Sequence, residues 1–182
     1  VWYLVDCAYV ILTRAMEPLG FDATNCYRLD VSKFDESSVG YDTAHPDSME
    51  INIADFMALT DRLRHDADIE AVGYSWRNDP YQGMLCSNVI KYDTLKASVR
   101  MVICNPDFLK VFRYRGANGE TPGQLAAMLK NGNVLLSHQA FGKEYDTNKM
   151  IGKKIDVGIS FGNNDTLPRR VAATFMPVKR FS

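Results

Sequence analysis

Ser137 and His138 stand side by side in this chain, and a serine next to an imidazole base invites a reading as nucleophilic acyl-transfer chemistry. That chemistry needs the hydroxyl within hydrogen-bond reach of a base that a third group orients. Adjacent residues at a helix start point in different directions, and no G-x-S-x-G elbow surrounds Ser137, so the pair reads as structural. His65, Asp66 and Asp68 form a second polar group at the end of an amphipathic helix. A solvated face accounts for it, with a histidine suited to the helix dipole. His45, His65 and His138 are too scattered to suggest a metal site. The acidic loop from Asp35 to Pro46 could grip a cation, but it lacks the D-x-D-x-D-G calcium pattern.

The cysteines Cys7, Cys26, Cys86 and Cys104 contain no CxxC and no nearby histidine, which argues against structural zinc. An oxidising compartment would permit disulfides, whose connectivity spacing does not reveal. Cys104 lies in an apolar strand pattern and reads as a small buried hydrophobe. Trp76, Tyr81, Met84 and Leu85 flank a turn, either as an exposed recognition patch or as a plug between two lobes. No catalytic, cofactor-binding or metal-ligating residue is assigned, and a non-catalytic role is expected.

The elements that would position these residues follow from pattern. Val1 to Glu17 reads as a helix stopped by Pro18 and Gly20. Its aromatic, apolar character, broken by Asp6 and Arg14, suits a helix emerging from a membrane or one buried in a core. Asn25 to Phe34 reads as a strand, and Asp35 to Ser48 as a loop. A helix then starts at Asn52 as N-cap, with Ile51 and Phe56 as a staple and Phe56, Leu59 and Leu63 on one face. Ile69 to Arg77, Val89 to Tyr92 and Ser98 to Cys104 read as strands. Asn105 would cap a short helix from Asp107 to Val111, and Pro122 would start another through Leu129. Asn133 to Leu136 is a short apolar strand, after which Ser137 would cap a helix to about Tyr145. Alternation of Ile155, Val157, Ile159 and Phe161 with polar residues predicts a half-buried strand. It returns as a hairpin through Val171, Ala173 and Phe175.

The net charge of -1 predicts no broad attraction for nucleic acid or anionic lipid. Arg169-Arg170 and Lys179-Arg180 read as solvated strand ends. The chain has no apolar run of about 18 residues or more. Its abrupt ends, Val1-Trp2-Tyr3 and Arg180-Phe181-Ser182, lead us to expect a segment of a longer polypeptide.

Two stretches carry a family resemblance. The first is Val134-Leu135-Leu136-Ser137, then Lys143 and Tyr145, then Ile151-Gly152-Lys153-Lys154-Ile155, with Val171-Ala172-Ala173-Thr174 as a following strand. The second is Asn105-Pro106-Asp107-Phe108-Leu109-Lys110-Val111-Phe112. Together they resemble the periplasmic core domain of MacB/FtsX-like ABC transporter permeases, at motif level over about residues 99–176. The positions also have physical reasons: a glycine turn at Gly152, Phe108 and Phe112 on one helix face, and a hydroxyl at Ser137 for a backbone N–H. Asp146, Ala173 and Gly119-Glu120 depart from the family pattern, which bears on the subfamily.

The resemblance implies an α+β fold. A membrane-proximal stalk helix would occupy 1–18. A porter-like lobe (strand-helix-strand plus strand-helix-hairpin) would occupy 19–77 and 131–182, interrupted by a sabre-like lobe at 78–130. It also implies an extracytoplasmic domain at the inner membrane, transmitting ATP-driven movement. Its partners would be a second permease subunit, a cytoplasmic ATPase and a periplasmic adaptor or substrate protein, with no nucleic acid. The chain holds no P-loop, so the ATP would be bound elsewhere. A free-standing periplasmic binding or interaction module is the alternative. A small α/β hydrolase ranks third.

Overall fold

The computed structural model describes residues 20–29, 31, 53–76, 87–158 and 166–178. The expected N-terminal helix, the Asp35–Ser48 loop, the Ile51/Asn52 helix start and the turn near Gly162 lie outside them. So do Cys7, Cys86, Tyr81, Met84, Leu85 and Lys179-Arg180. The described residues of Thr24–Val72 form one compact unit, and those of Val1–Ala23 with Gly73–Ser182 form another.

In the smaller unit, α1 (Ile53–Arg64) turns Phe56, Leu59, Thr60 and Leu63 inward and leaves Asp61, Arg62 and Arg64 exposed. The Thr60 hydroxyl is satisfied within the helix, donating to the Phe56 carbonyl at 2.7 Å. The strand expected from Asn25 is not formed by its described residues. Asn25 takes a left-handed φ of 62°, and residues 26–29 and 31 pair with nothing in a ladder. The alternation of Tyr27, Leu29 and Val31 is real, but these side chains are exposed at 88%, 65% and 37%.

The larger unit is α+β, with few helices and a mixed sheet. Its strands are β1 (Ser75–Trp76), β2 (Ser87–Tyr92), β3 (Leu95–Arg100), β4 (Ile103–Cys104), β5 (Val134–Ser137), β6 (Lys154–Gly158) and β7 (Thr166–Phe175). The first and fourth make a two-stranded ribbon, while the others form a sheet in the order β3-β2-β6-β7-β5. All pairings in the large sheet are antiparallel except β5 with β7. Strands from the expected sabre-like segment, 78–130, and from 131–182 therefore share one sheet.

Local chemistry explains where the elements begin and stop. The β2–β3 hairpin closes through Asp93-Thr94, with Asp93 at φ 52°, so the second strand starts at Leu95 rather than Ser98. Of the described residues in the strand expected over Ile69–Arg77, only those of β1 form one. The backbone N–H of Tyr74 is taken by the Asn105 side chain at 2.8 Å instead of by a partner strand. Asn105 is thus committed to Tyr74 and does not cap α2 (Asp107–Val111), which begins without a side-chain cap. Helix α3 (Pro122–Met128) is closed by a box between Thr121 and Gln124. Thr121 Oγ1 accepts from the Gln124 N–H at 3.3 Å, and Gln124 Oε1 from the Thr121 N–H at 2.8 Å.

Two apolar clusters fill this unit. One gathers Phe21, Phe108, Leu109, Tyr114, Leu125 and Ala173. The other gathers Ile90, Leu136, Met150, Ile155, Val157 and Val171 under the sheet. Both draw residues from β7, which ties the two clusters together. Gly20 lies against the backbone of Pro177 and Val178 with φ 74°, where a Cβ would collide with the Pro177 carbonyl. The chain therefore enters and leaves the described fold at one place.

Candidate functional site

Ser137 ends β5, and the helix expected after it is replaced by successive turns. Ala140 N–H bonds to the Ser137 carbonyl, Gly142 N–H to the Gln139 carbonyl, and Gly142 takes φ 99°. Each turn reverses the chain before a helical nucleus can extend. Ser137 Oγ accepts from the Gln139 N–H at 3.4 Å, so the hydroxyl serves the backbone as anticipated, in a turn rather than at a helix start. His138 donates its N–H to the Phe175 carbonyl at 2.8 Å, and its buried Nδ1 has no partner. The two side chains make no hydrogen bond to each other.

His65, Asp66 and Asp68 are exposed at the end of α1 and close it. His65 Nδ1 lies 2.7 Å from the Asp61 carbonyl, and Asp66 Oδ1 accepts from the Asp68 N–H at 3.0 Å. Among the described residues no group of three or more His, Cys, Asp or Glu is placed to hold a metal ion. Cys104 is half-buried in β4, where desolvation pushes its thiol from 9.0 up to about 12, and Cys26 is half-buried in the smaller unit. Trp76 lies in β1 opposite Ile103.

The polar chemistry that the structure does assemble lies along the end of β7. Thr174, fully buried, donates its hydroxyl to Asn148 Oδ1, and Asn118 Nδ2 reaches the same oxygen at 3.3 Å. Asn118 is held by Glu120 through its N–H at 3.0 Å and its side-chain amide at 3.4 Å. Asp146 Oδ1 accepts from the Asn148 N–H at 3.1 Å and starts the 3-10 turn Thr147–Met150. Beside Asn148, the Thr147 hydroxyl is fully buried and has no hydrogen-bond partner. This seam fastens the 116–121 loop and the 146–150 turn to β7. It carries backbone-organising amides and hydroxyls rather than a nucleophile with its base.

The sequence reading passed over this seam, although two signals pointed to it. Asp146-Thr147-Asn148 is an Asx-turn pattern, and Thr121-x-x-Gln124 is a capping box. Two of the departures from the family pattern, Asp146 and Glu120, take part in it.

The two stretches that carry the resemblance converge on β7. Val134–Ser137 lies parallel to Val171–Phe175. Gly152, at φ 86°, donates to the Val171 carbonyl at 2.8 Å, and Val171 donates back to Lys153. Phe108 is buried in the same cluster as Ala173, with its ring 4.6 Å from Phe112. The chain matches no protein-family model, no curated protein and no solved structure. Among the described residues no helix is long and apolar enough to cross a membrane.

Proposed function

We propose that this chain is the extracytoplasmic domain of a MacB/FtsX-like ABC transporter permease and that it passes on movement rather than performing catalysis. The observation that carries the reading is the meeting of Gly20 with Pro177 and Val178. A domain inserted between two membrane segments must receive and return its chain at one end, and a lever anchored there can rotate as a rigid body. Support also comes from the signature stretches, whose residues meet on β7 as packing and turn elements. In this reading the porter-like lobe is built around β5, β6 and β7, and the N-terminal helix is the membrane-proximal stalk. A second permease subunit and a cytoplasmic ATPase drive it, and a periplasmic adaptor or substrate protein receives the motion.

Insertion of alkaline phosphatase into the polar segment 35–48 of the full-length gene product tests the reading, because that enzyme is active only after export. High phosphatase activity in the membrane fraction is expected. An inactive fusion, or one recovered entirely in the soluble fraction, would contradict the proposal.

A specific observation favours the binding-module alternative. Ile53 and Met57 share one face of α1 and are exposed, as are Tyr27, Leu29 and Val31 of the same unit. A module that docks onto another protein would keep such apolar side chains in solvent until it binds.

A further inference from the structure

The outer face of the large sheet collects positive charge from four neighbouring strands. Strand registry puts Lys91 directly opposite Lys96, and Lys154 directly opposite Arg170. Arg100 lies on the same face, four residues along β3 from Lys96. Among the described residues the one carboxylate in this array is Asp156, opposite Lys91 on β6. Lys96, Arg100, Lys154 and Arg170 are exposed and Lys91 is half-buried. Among the described residues none of the five cations makes an ion pair. Like charges directly opposite each other destabilise a sheet, and here two such pairs sit side by side. In a chain of net charge -1 this is a local concentration, not an overall excess of base.

We infer that this face is a docking surface for the anionic headgroups of a phospholipid bilayer. The array is two-dimensional: neighbouring strands lie about 4.8 Å apart and same-face residues about 6.8 Å apart along a strand, so cations are spread in both directions. Headgroup phosphates in a membrane plane are spread the same way, whereas a nucleic-acid backbone offers them along a line. The positions between the cations are Ser87, Val89, Ser98 and Pro168, with no aromatic side chain on which a base could stack. Among the described residues of this face no large apolar wedge projects either, so attachment is electrostatic and superficial. Each cation near an anionic surface strengthens binding about fivefold. The inference stands on charge and register alone and does not depend on the permease reading. Failure of vesicle binding would leave the phosphatase experiment unaffected.

The experiment is co-sedimentation of the chain with vesicles of equal parts phosphatidylcholine and phosphatidylglycerol, against vesicles of phosphatidylcholine alone. Binding is expected only to the former, weakening as ionic strength rises. Replacing Lys96→Ser together with Lys154→Ser is expected to weaken it about thirtyfold. Lys130→Ser with Lys143→Ser, exposed positions off the sheet, leaves it unchanged. Lys154→Glu separates loss of charge from loss of fold, because it places opposite charges across from each other. That variant is expected to lose vesicle binding while melting at a temperature no lower than the parent. Equal binding to both vesicle types overturns the inference, as does equal binding by the Lys96/Lys154 and Lys130/Lys143 double variants. Tighter binding to polyglutamate or to a duplex oligonucleotide at matched charge overturns it in favour of an acidic protein or a nucleic acid.

Discussion

Along β6, one step of the chain separates two environments. Ile155 is 1% exposed within the lower cluster, and Lys154 before it stands in solvent opposite Arg170. The lower face of the sheet gathers Ile90, Val157 and Val171 with Ile155, all nearly or completely inaccessible. The upper face carries five cations and one carboxylate. The lower face therefore bears the cost of any misfit, since interiors are close-packed and voids are not refilled. The upper face tolerates uncompensated charge because water screens it. The difference teaches that the stability of this sheet resides below, while its capacity to meet another surface resides above.

The largest expected effect comes from Ile155→Ala, which should lower stability by about 3 kcal/mol in urea unfolding. Lys154→Ala next to it should change stability by no more than about 0.5 kcal/mol. Comparable losses at the two positions would erase the distinction between the faces. The buried polar seam sharpens the comparison, because polar atoms on the packed side must find partners. Thr174→Val should cost about 1–2 kcal/mol, since it removes the hydroxyl bonded to Asn148. Thr147→Val should instead stabilise by about 1 kcal/mol, because the Thr147 hydroxyl is buried without a partner. Thermal melts of the two variants should therefore move in opposite directions. The smallest effect belongs to the solvent side. Lys96→Glu opposite Lys91 should raise stability by about 0.3 kcal/mol at low salt, a gain that vanishes at high salt.

Much of the larger unit was legible as pattern. Asp107–Val111 and Val134–Ser137 agree with expectation to within a residue, and Pro122–Met128 ends one residue short of it. Each is bounded by local chemistry such as proline or a polar cap. Ile155 is buried between exposed Lys154 and Asp156, as alternation required, and Val157 is buried beyond Asp156. The errors arose where a distant residue claimed a group that local pattern had assigned elsewhere. Asn105 was read as a helix cap, but Tyr74 takes its side chain. Ser137 was read as starting a helix, but His138 is tied to Phe175 and the chain turns back. Arg169-Arg170 was read as a solvated strand end. The pair instead lies inside the ten-residue β7, with Arg169 half-buried and Arg170 on the charged face. Of the candidate seam, the two turn signatures were visible and their meeting was not.

The amino-acid order alone determined which residues could be strand, helix or turn, because backbone propensity, caps and alternation act over a few neighbouring positions. It also determined the near-neutral total charge, from which no attraction for an anionic surface followed. Only the tertiary structure decided that β2 lies between β3 and β6, and that β6 lies against β7. Those adjacencies place Lys91, Lys96, Lys154 and Arg170 on one plane, and they bring Asn118, Asn148 and Thr174 to a single oxygen. Electrostatic fields and hydrogen bonds depend on separation in space, whereas a sequence records separation only along the chain.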